Sequence, residues 1–221
     1  MLGWLPENIS TYGADIDAIF ALIYYIVGCW FLLTWGVLLY FIVRYQHRPG
    51  ARSAYVPGNT LSQVAWLLVP AFVVLMLDLG IDFSGAKVWS KVKGVMPEGE
   101  VLVRVTASQF NWEILYPGPD GQFGTTDDVR LENELHVPVS KVVRLTLASK
   151  DVIHSFFLPH VRIKQDAIPG REIPVWFEAT KPGRYEIPCA ELCGFGHSVM
   201  KGYLAVHAAE DYQQWVRTRW P

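Results

Sequence analysis

Between Ala18 and Val43 the chain carries no charged residue, and between Thr60 and Leu77 it again carries none. At about 1.5 Å per residue the first run is ample to cross a hydrocarbon core of ~30 Å, and the second is just long enough. Inside lipid every backbone N–H and C=O must be bonded within its own segment, so both runs are expected to be helices. Only Arg44 to Asn59 separates them, which makes a transmembrane hairpin. A cleaved leader fits the first run poorly, because Glu7, Asp15 and Asp17 precede it and the apolar stretch is too long. Arg44, Arg48 and Arg52 all lie in the linker, and no other Lys or Arg occurs before Lys87. Basic loops stay on the cytoplasmic side, so the N-terminus and everything after about residue 84 are expected outside. The expected organisation is an outer tail over 1–16, a hairpin over 17–83 with its linker at 44–59, and an extracytoplasmic domain over 84–221. Cys29 falls inside the first apolar run and is read as a small hydrophobe.

The outer region changes character. Val101 to Ala107 and Lys141 to Leu147 alternate apolar and polar residues and are rich in β-branched side chains, as strands are. Further strands are expected at 111–115, 131–137, 173–179, 184–187 and 202–206, with turns at Pro117–Gly121, Pro169-Gly170 and Pro182-Gly183. Short strands punctuated in this way predict an antiparallel sandwich or barrel. Residues 209–220 read as a short terminal helix. The acidic loop Pro117 to Asp128 lacks the ligand spacing of an EF-hand and reads as a solvated hairpin loop. Six carboxylates between Glu113 and Glu134 face only Arg130, either a docking surface for a cationic protein or a solvated face. A net charge of −2 leaves no case for nucleic acid as a partner.

Chemistry concentrates in Cys189-Ala-Glu-Leu-Cys193-Gly-Phe-Gly-His197-Ser-Val-Met200, with His154 upstream. Thiolate, imidazole and thioether are soft donors suited to copper. One cysteine with two histidines and a methionine would describe a mononuclear blue-copper centre. The second cysteine fits a thiolate-bridged dicopper centre better, with one imidazole for each ion. Tetrahedral zinc and a Cys189–Cys193 disulfide stay open at this point, although neither uses Met200. Both ligand segments are expected in loops just after strands, where the end of a rigid sandwich can pin a metal. No Cys-x-x-Cys-His occurs, so no c-type haem is attached.

The hairpin, the β region, Asp151-Val-Ile-His154-Ser-Phe, Lys164-Gln-Asp-Ala-Ile-Pro-Gly-Arg171 and the loop from Cys189 to Met200 together resemble subunit II of the haem-copper cytochrome c oxidases. The resemblance covers almost the whole chain. It implies a cupredoxin-like Greek-key domain carrying two copper ions as a dinuclear CuA centre. Cys189 and Cys193 would bridge both ions. His154 and Met200 would serve one, and His197 with the backbone carbonyl of Glu191 the other. The Glu191 side chain would point toward a magnesium or manganese ion shared with subunit I, which Asp166 and Arg171 also face. The implied partners are subunit I, other membrane subunits, lipid, and cytochrome c or a similar donor. Electrons would pass to haem in subunit I for oxygen reduction, with no oxygen-reducing site on this chain. The implied location is a bacterial plasma membrane, as a two-pass protein with both termini outside.

Two positions depart from the family pattern. Phe110 stands where the family commonly has the tryptophan that takes the electron from cytochrome c, with Trp112 close by. Gln63 stands near the start of the second helix, where the family often has a glutamate at the mouth of a proton channel; a glutamine cannot ionise there. Both departures keep a nitric oxide reductase subunit in view as an alternative. A membrane-tethered copper-binding or delivery protein is another, although a tether needs only one helix.

Overall fold

The computed structural model describes residues 3–50 and 52–220, which divide into two units: 17–89, and 3–16 together with 90–220. The first unit is helical. Helix α1 (Gly13–Arg44) has 32 residues and α2 (Leu61–Trp89) has 29, about 48 and 44 Å at the α-helical rise. Both exceed a bilayer's hydrocarbon core. Their most apolar stretches bury nothing within the protein: Phe31, Leu32, Leu33, Leu67 and Phe72 are all exposed. A soluble protein would hide such a surface, so the two helices are those of a membrane protein. Pro70 sits inside α2.

The second unit is a β-sandwich of ten strands among the described residues. They are β1 (Val101–Ser108), β2 (Asn111–Tyr116), β3 (Val129–Glu132), β4 (Glu134–Pro138), β5 (Val142–Ser149), β6 (His154–Leu158), β7 (Ile163–Ala167), β8 (Ile173–Glu178), β9 (Gly183–Pro188) and β10 (Lys201–His207). A five-stranded sheet runs β3-β2-β1-β5-β8, a three-stranded sheet β4-β10-β9, and β6 pairs with β7. β1 lies parallel to β5 and β4 parallel to β10, while the other pairs are antiparallel. Period-2 alternation puts Val103, Val105 and Ala107 of β1 and Leu145 and Leu147 of β5 on one buried face. Leu204 and Val206 of β10 and Leu135 and Val137 of β4 supply the opposing face.

Where one strand was expected over 131–137, the structure has two. Asn133 adopts φ 59°, a left-handed conformation that asparagine tolerates better than most residues. Its N–H donates to Trp112 O, its side-chain oxygen takes the Trp112 N–H, and its carbonyl takes the Tyr203 N–H. One corner residue therefore serves strands of both sheets. Helix α3 (Ala209–Arg219) closes the chain where a terminal helix was expected, with Glu210 and Asp211 in its first turn and Arg217 and Arg219 in its last, as the helix dipole favours.

The N-terminal segment is built into the sandwich. Ile9 and Tyr12 are fully buried, and Ser10 forms a bridge with Ala179. The Ile9 N–H donates to His160 O, and Ile9 O accepts from Thr180 N. Tyr12 Oη donates to Trp176 O, and burial holds its phenol above the usual range. The Trp176 indole N–H in turn donates to Val92 O at 2.9 Å, and Lys91 pairs with Asp15 at 2.7 Å. Residues before α1 and residues just after α2 are thus both fastened to β8.

Candidate metal centre

His154 is the first residue of β6, not part of a loop as expected. β6 reads His-Ser-Phe-Phe-Leu and is buried on both faces except at Phe157, so it lacks the alternation that marks a half-exposed strand. It pairs with β7 on one side, placing His154 opposite Ala167. On the other side Phe156 bridges Cys189, and the Ala190 N–H donates to Ser155 O at 3.0 Å. β6 is thereby stitched to the segment that follows β9. Cys189 does sit just after a strand, and its N–H donates to Met200 O at 3.1 Å, closing the loop upon itself. Inside the loop, a short 3-10 turn (His197–Val199) aims His197 back at Cys193. Gly194 allows this with φ 134°, and a side chain there would strike the Gln109 amide.

Six candidate donors converge. The two sulfurs are 3.8 Å apart, far beyond the ~2.05 Å of a disulfide, and both cysteines are free. Cys189 Sγ lies 3.9 Å from His154 Nδ1 and 3.3 Å from Glu191 O. Cys193 Sγ lies 3.6 Å from His197 Nδ1 and 3.7 Å from Met200 Sδ. Each sulfur has its own imidazole and its own weak donor, a set larger than tetrahedral zinc employs. His154, Cys189, Cys193 and Met200 are buried. Burial first, and then the adjacent Cys189, push the Cys193 thiol up to about 11. Without a cation this sulfur keeps its proton; a metal that displaces the proton makes the thiolate pair tolerable. The donor set fits soft-metal binding.

The surroundings fix the donors. His154 Nε2 lies 2.9 Å from Asp151 Oδ1. Burial works against the Asp151 carboxylate, but hydrogen bonds from His154 and from the N–H groups of Gln109 and Val152 outweigh it and hold the group down to about 2. Trp112 is buried beneath, its ring edge-on to His154 at 6.1 Å and to Phe156 at 5.2 Å, and its indole N–H donates to Ile187 O. Phe110 lies at the rim, partly exposed, with its ring against Gly196. Leu192, Phe195 and Val199 of the loop and Ile153 beside His154 are exposed around it. Sequence reasoning assigned no role to Asp151 or Gln109. An aspartate three residues before a candidate ligand histidine was the available signal for the first.

The remaining expected residues fall elsewhere. Glu191 has an exposed side chain, Arg171 is exposed, and Asp166, opposite Ser155 in the β6–β7 pair, lies 3.4 Å from Lys164 Nζ. Gln63 is in the first turn of α2, its side-chain oxygen buried without a hydrogen-bond partner among the described residues. The acidic run between Glu113 and Glu134 is largely tied up. Glu113 takes both Arg130 and Lys150 at 2.9 Å, Glu134 meets Arg184 and His136, and Asp127 and Asp128 bond within their own loop.

Residues 106–207 match the family model described as cytochrome c oxidase subunit II, periplasmic domain. Over 97% of its length the chain is 31% identical to "Cytochrome c oxidase subunit 2" of Thermostichus vulcanus, spanning 78% of that protein. The chain belongs to the cytochrome c oxidase subunit II family. "Alternative cytochrome c oxidase subunit 2" of Bradyrhizobium diazoefficiens is a comparable relative, 31% identical over 96% of this chain and 82% of its own. The periplasmic domain of subunit II of cytochrome oxidase from Bradyrhizobium japonicum matches 57% of this chain and 96% of that domain, at 33% identity and a TM-score of 0.50. As a subunit II chain, this protein is expected among other oxidase subunits, and copper and electron transport follow from the family. The cupredoxin-like sandwich and the two long apolar helices are the architecture that the resemblance implied.

Proposed function

We propose that this chain is the electron-accepting subunit of a haem-copper respiratory oxidase, taking electrons from a c-type cytochrome and passing them toward haem in subunit I. The observation that carries this reading is the pairing of each cysteine sulfur with its own imidazole and its own weak donor. Two copper ions bound there would supply the one chemistry that side chains lack, the storage and release of a single electron. Cys189 and Cys193 would hold them through sulfur, with His154, His197, Met200 and the Glu191 carbonyl completing the ligand set. The protein's part is rigidity. Ligands held by β6, by the end of β9 and by a loop hydrogen-bonded to itself shift little when charge arrives, which keeps the barrier to transfer low.

The rim gives the donor its place. Phe110 and the exposed apolar side chains of the loop let a haem edge approach without charged groups to desolvate, while Trp112 packs behind His154 and stiffens it. Glu191, with its carbonyl turned to Cys189 and its carboxylate exposed, is free to reach a magnesium or manganese ion shared with subunit I. Asp166 and Arg171 would face that same subunit. The basic linker argues for a cytoplasmic turn between α1 and α2 and for both termini outside; the bacterial relatives favour a bacterial plasma membrane. Gln63 cannot itself pick up a proton, so a proton channel opening near it would rely on another carboxylate.

Two measurements test the reading. The full-length chain loaded with copper should bind two ions and give an electron-spin spectrum split by two equivalent copper nuclei. A single-nucleus pattern, or stoichiometric zinc without colour, overturns the dicopper assignment. The complex that copurifies with this chain should consume oxygen when fed reduced cytochrome c; consumption of nitric oxide in its place would make the chain a reductase subunit.

A further inference from the structure

We propose that Arg104 and Arg144, neighbours on the outer face of the five-stranded sheet, form a binding site for a phosphate-type oxyanion. In the parallel pair of β1 and β5, Leu102 lies opposite Arg144 and Arg104 opposite Thr146. The two arginines are therefore one step of the pleat apart on the same face. Met96, Leu102, Phe123, Arg144, Thr146 and Pro174 are among the walls of a cavity of about 230 Å³. Arg104 stands at its edge, with its guanidinium 4.9 Å from the centre of the Phe123 ring. Gly99 gives Arg144 its course, because a Cβ there would strike Cγ and Cδ of the arginine. No candidate copper donor takes part, so the inference stands apart from the dicopper reading.

Neither guanidinium is satisfied within the chain. Arg144 meets no carboxylate among the described residues. Arg104 has Glu172, whose Oε1 lies 3.6 Å from its Nη2 and whose side chain is 63% exposed. An ion pair so open to water contributes little. The Arg104 Nε is buried and has no partner among the described residues. A buried N–H without an acceptor is a cost that proteins avoid, and an external anion would supply the acceptor. Guanidinium groups stay charged at every physiological pH and offer parallel N–H donors, the geometry that phosphate oxygens match. The Thr146 hydroxyl on the cavity wall is a further donor. Met96, Leu102, Phe123 and Pro174 keep water from part of the site, which strengthens the attraction. At ~30 Å³ per water, the space suits one tetrahedral oxyanion with a few waters. The shared chemistry is a phosphate group, free in solution or at the head of a lipid. A solvated pair of surface arginines, by contrast, predicts only weak binding that does not saturate.

Titration calorimetry of the full-length chain in non-ionic detergent tests the site, with inorganic phosphate as the probe. Saturable binding of one phosphate per chain is expected. Arg144→Gln and Arg104→Gln should each weaken it roughly 10-fold or more, since each removes charged hydrogen bonds. Gly99→Ala keeps both charges but displaces Arg144, and should weaken binding as well. Arg130→Gln removes a charge from the same sheet that Glu113 already pairs, and should leave binding unchanged. Circular dichroism checks that each variant keeps the fold. A soluble short-chain phosphatidate separates the two sources. Tighter binding than inorganic phosphate, lost in Arg144→Gln, marks a lipid headgroup; equal or weaker binding marks the free ion. Binding that does not saturate in the wild type, or equal losses in Arg130→Gln and Arg144→Gln, makes this a solvated basic face and overturns the inference. Acetate that competes as well as phosphate assigns the arginines to a carboxylate of a neighbouring chain, which overturns it too.

Discussion

His136 Nδ1 and His207 Nε2 lie 2.8 Å apart, their rings within 16° of parallel, and Trp215 of α3 stacks on His136 at 4.9 Å. The pair joins the parallel strands β4 and β10 and seats the terminal helix. Tyr212 stacks on Trp215 at 5.5 Å, and Tyr116 Oη takes the His136 N–H while donating to His136 O. Burial first, and then His207, lower the His136 pKa against the opposing pull of Glu134; burial lowers that of His207 against Asp211.

A pH dependence follows. Both histidines hold their protons less tightly when folded than when unfolded, so the unfolded chain takes up protons first as pH falls. Stability from this cluster is complete above the ordinary histidine pKa of about 6.5 and declines as pH drops from there toward the lower folded values. Denaturation midpoints of the full chain measured at pH 7.5 and at pH 5.5 should fall at the acid end. His136→Gln combined with His207→Gln should flatten that slope; an unchanged slope would place the acid sensitivity elsewhere.

Tyr12 tests how firmly the N-terminal segment belongs to the sandwich. Its ring is buried edge-on to Trp176 at 5.1 Å, and its hydroxyl donates to Trp176 O. Tyr12→Ala leaves a cavity of aromatic size and should cost about 3–5 kcal/mol. Tyr12→Phe removes only the hydrogen bond, leaving Trp176 O one partner short, and should cost about 1 kcal/mol. Denaturant titration followed by tryptophan fluorescence reads both. Equal, small losses would mean that residues 9–12 are a detachable tail.

This segment also marks where sequence reasoning stopped. Ile9 and Tyr12 precede a long apolar run and show no period of their own, so nothing local tells an outer tail from a buried strap. The convergence of His154, Cys189, Cys193, His197 and Met200 was legible because each is a rare residue type at a distinctive spacing. The half-exposed strands β1 and β5 were legible by alternation, as were the two long apolar helices by their missing charges. β6 was not, because a strand buried on both faces has no alternation to read, and that hid the element holding His154. Asn133 split an expected strand because corner geometry is decided by partners on two sheets, Trp112 and Tyr203.

Gly196 offers a probe of the rim. Its φ is −88°, so alanine meets no backbone strain there, but a Cβ would lie 2.5 Å from Phe110 Cδ2. The ring must move to accommodate it. Gly196→Ala should bind copper normally and keep its reduction potential, while accepting electrons from a reduced c-type cytochrome more slowly. Stopped-flow reduction of the full chain measures this. If the rate stays at the wild-type value, Phe110 is a packing residue and electrons arrive at another part of the rim.

Cys193→Ser separates the dicopper reading from binding at a single site. Serine is close in volume, and Cys193 is nearly buried with its carbonyl held by Gln109, so the sandwich should survive the change. What disappears is a soft bridging donor that also contacts His197 and Met200. Its alcohol does not ionise near neutral pH and is a poor copper donor. The signature of one electron shared between two copper nuclei should vanish, leaving at most one ion, held by Cys189 with His154. Circular dichroism should still report the β fold. A variant that retained the two-nucleus splitting would show that Cys193 bridges nothing, and the second sulfur would need another explanation.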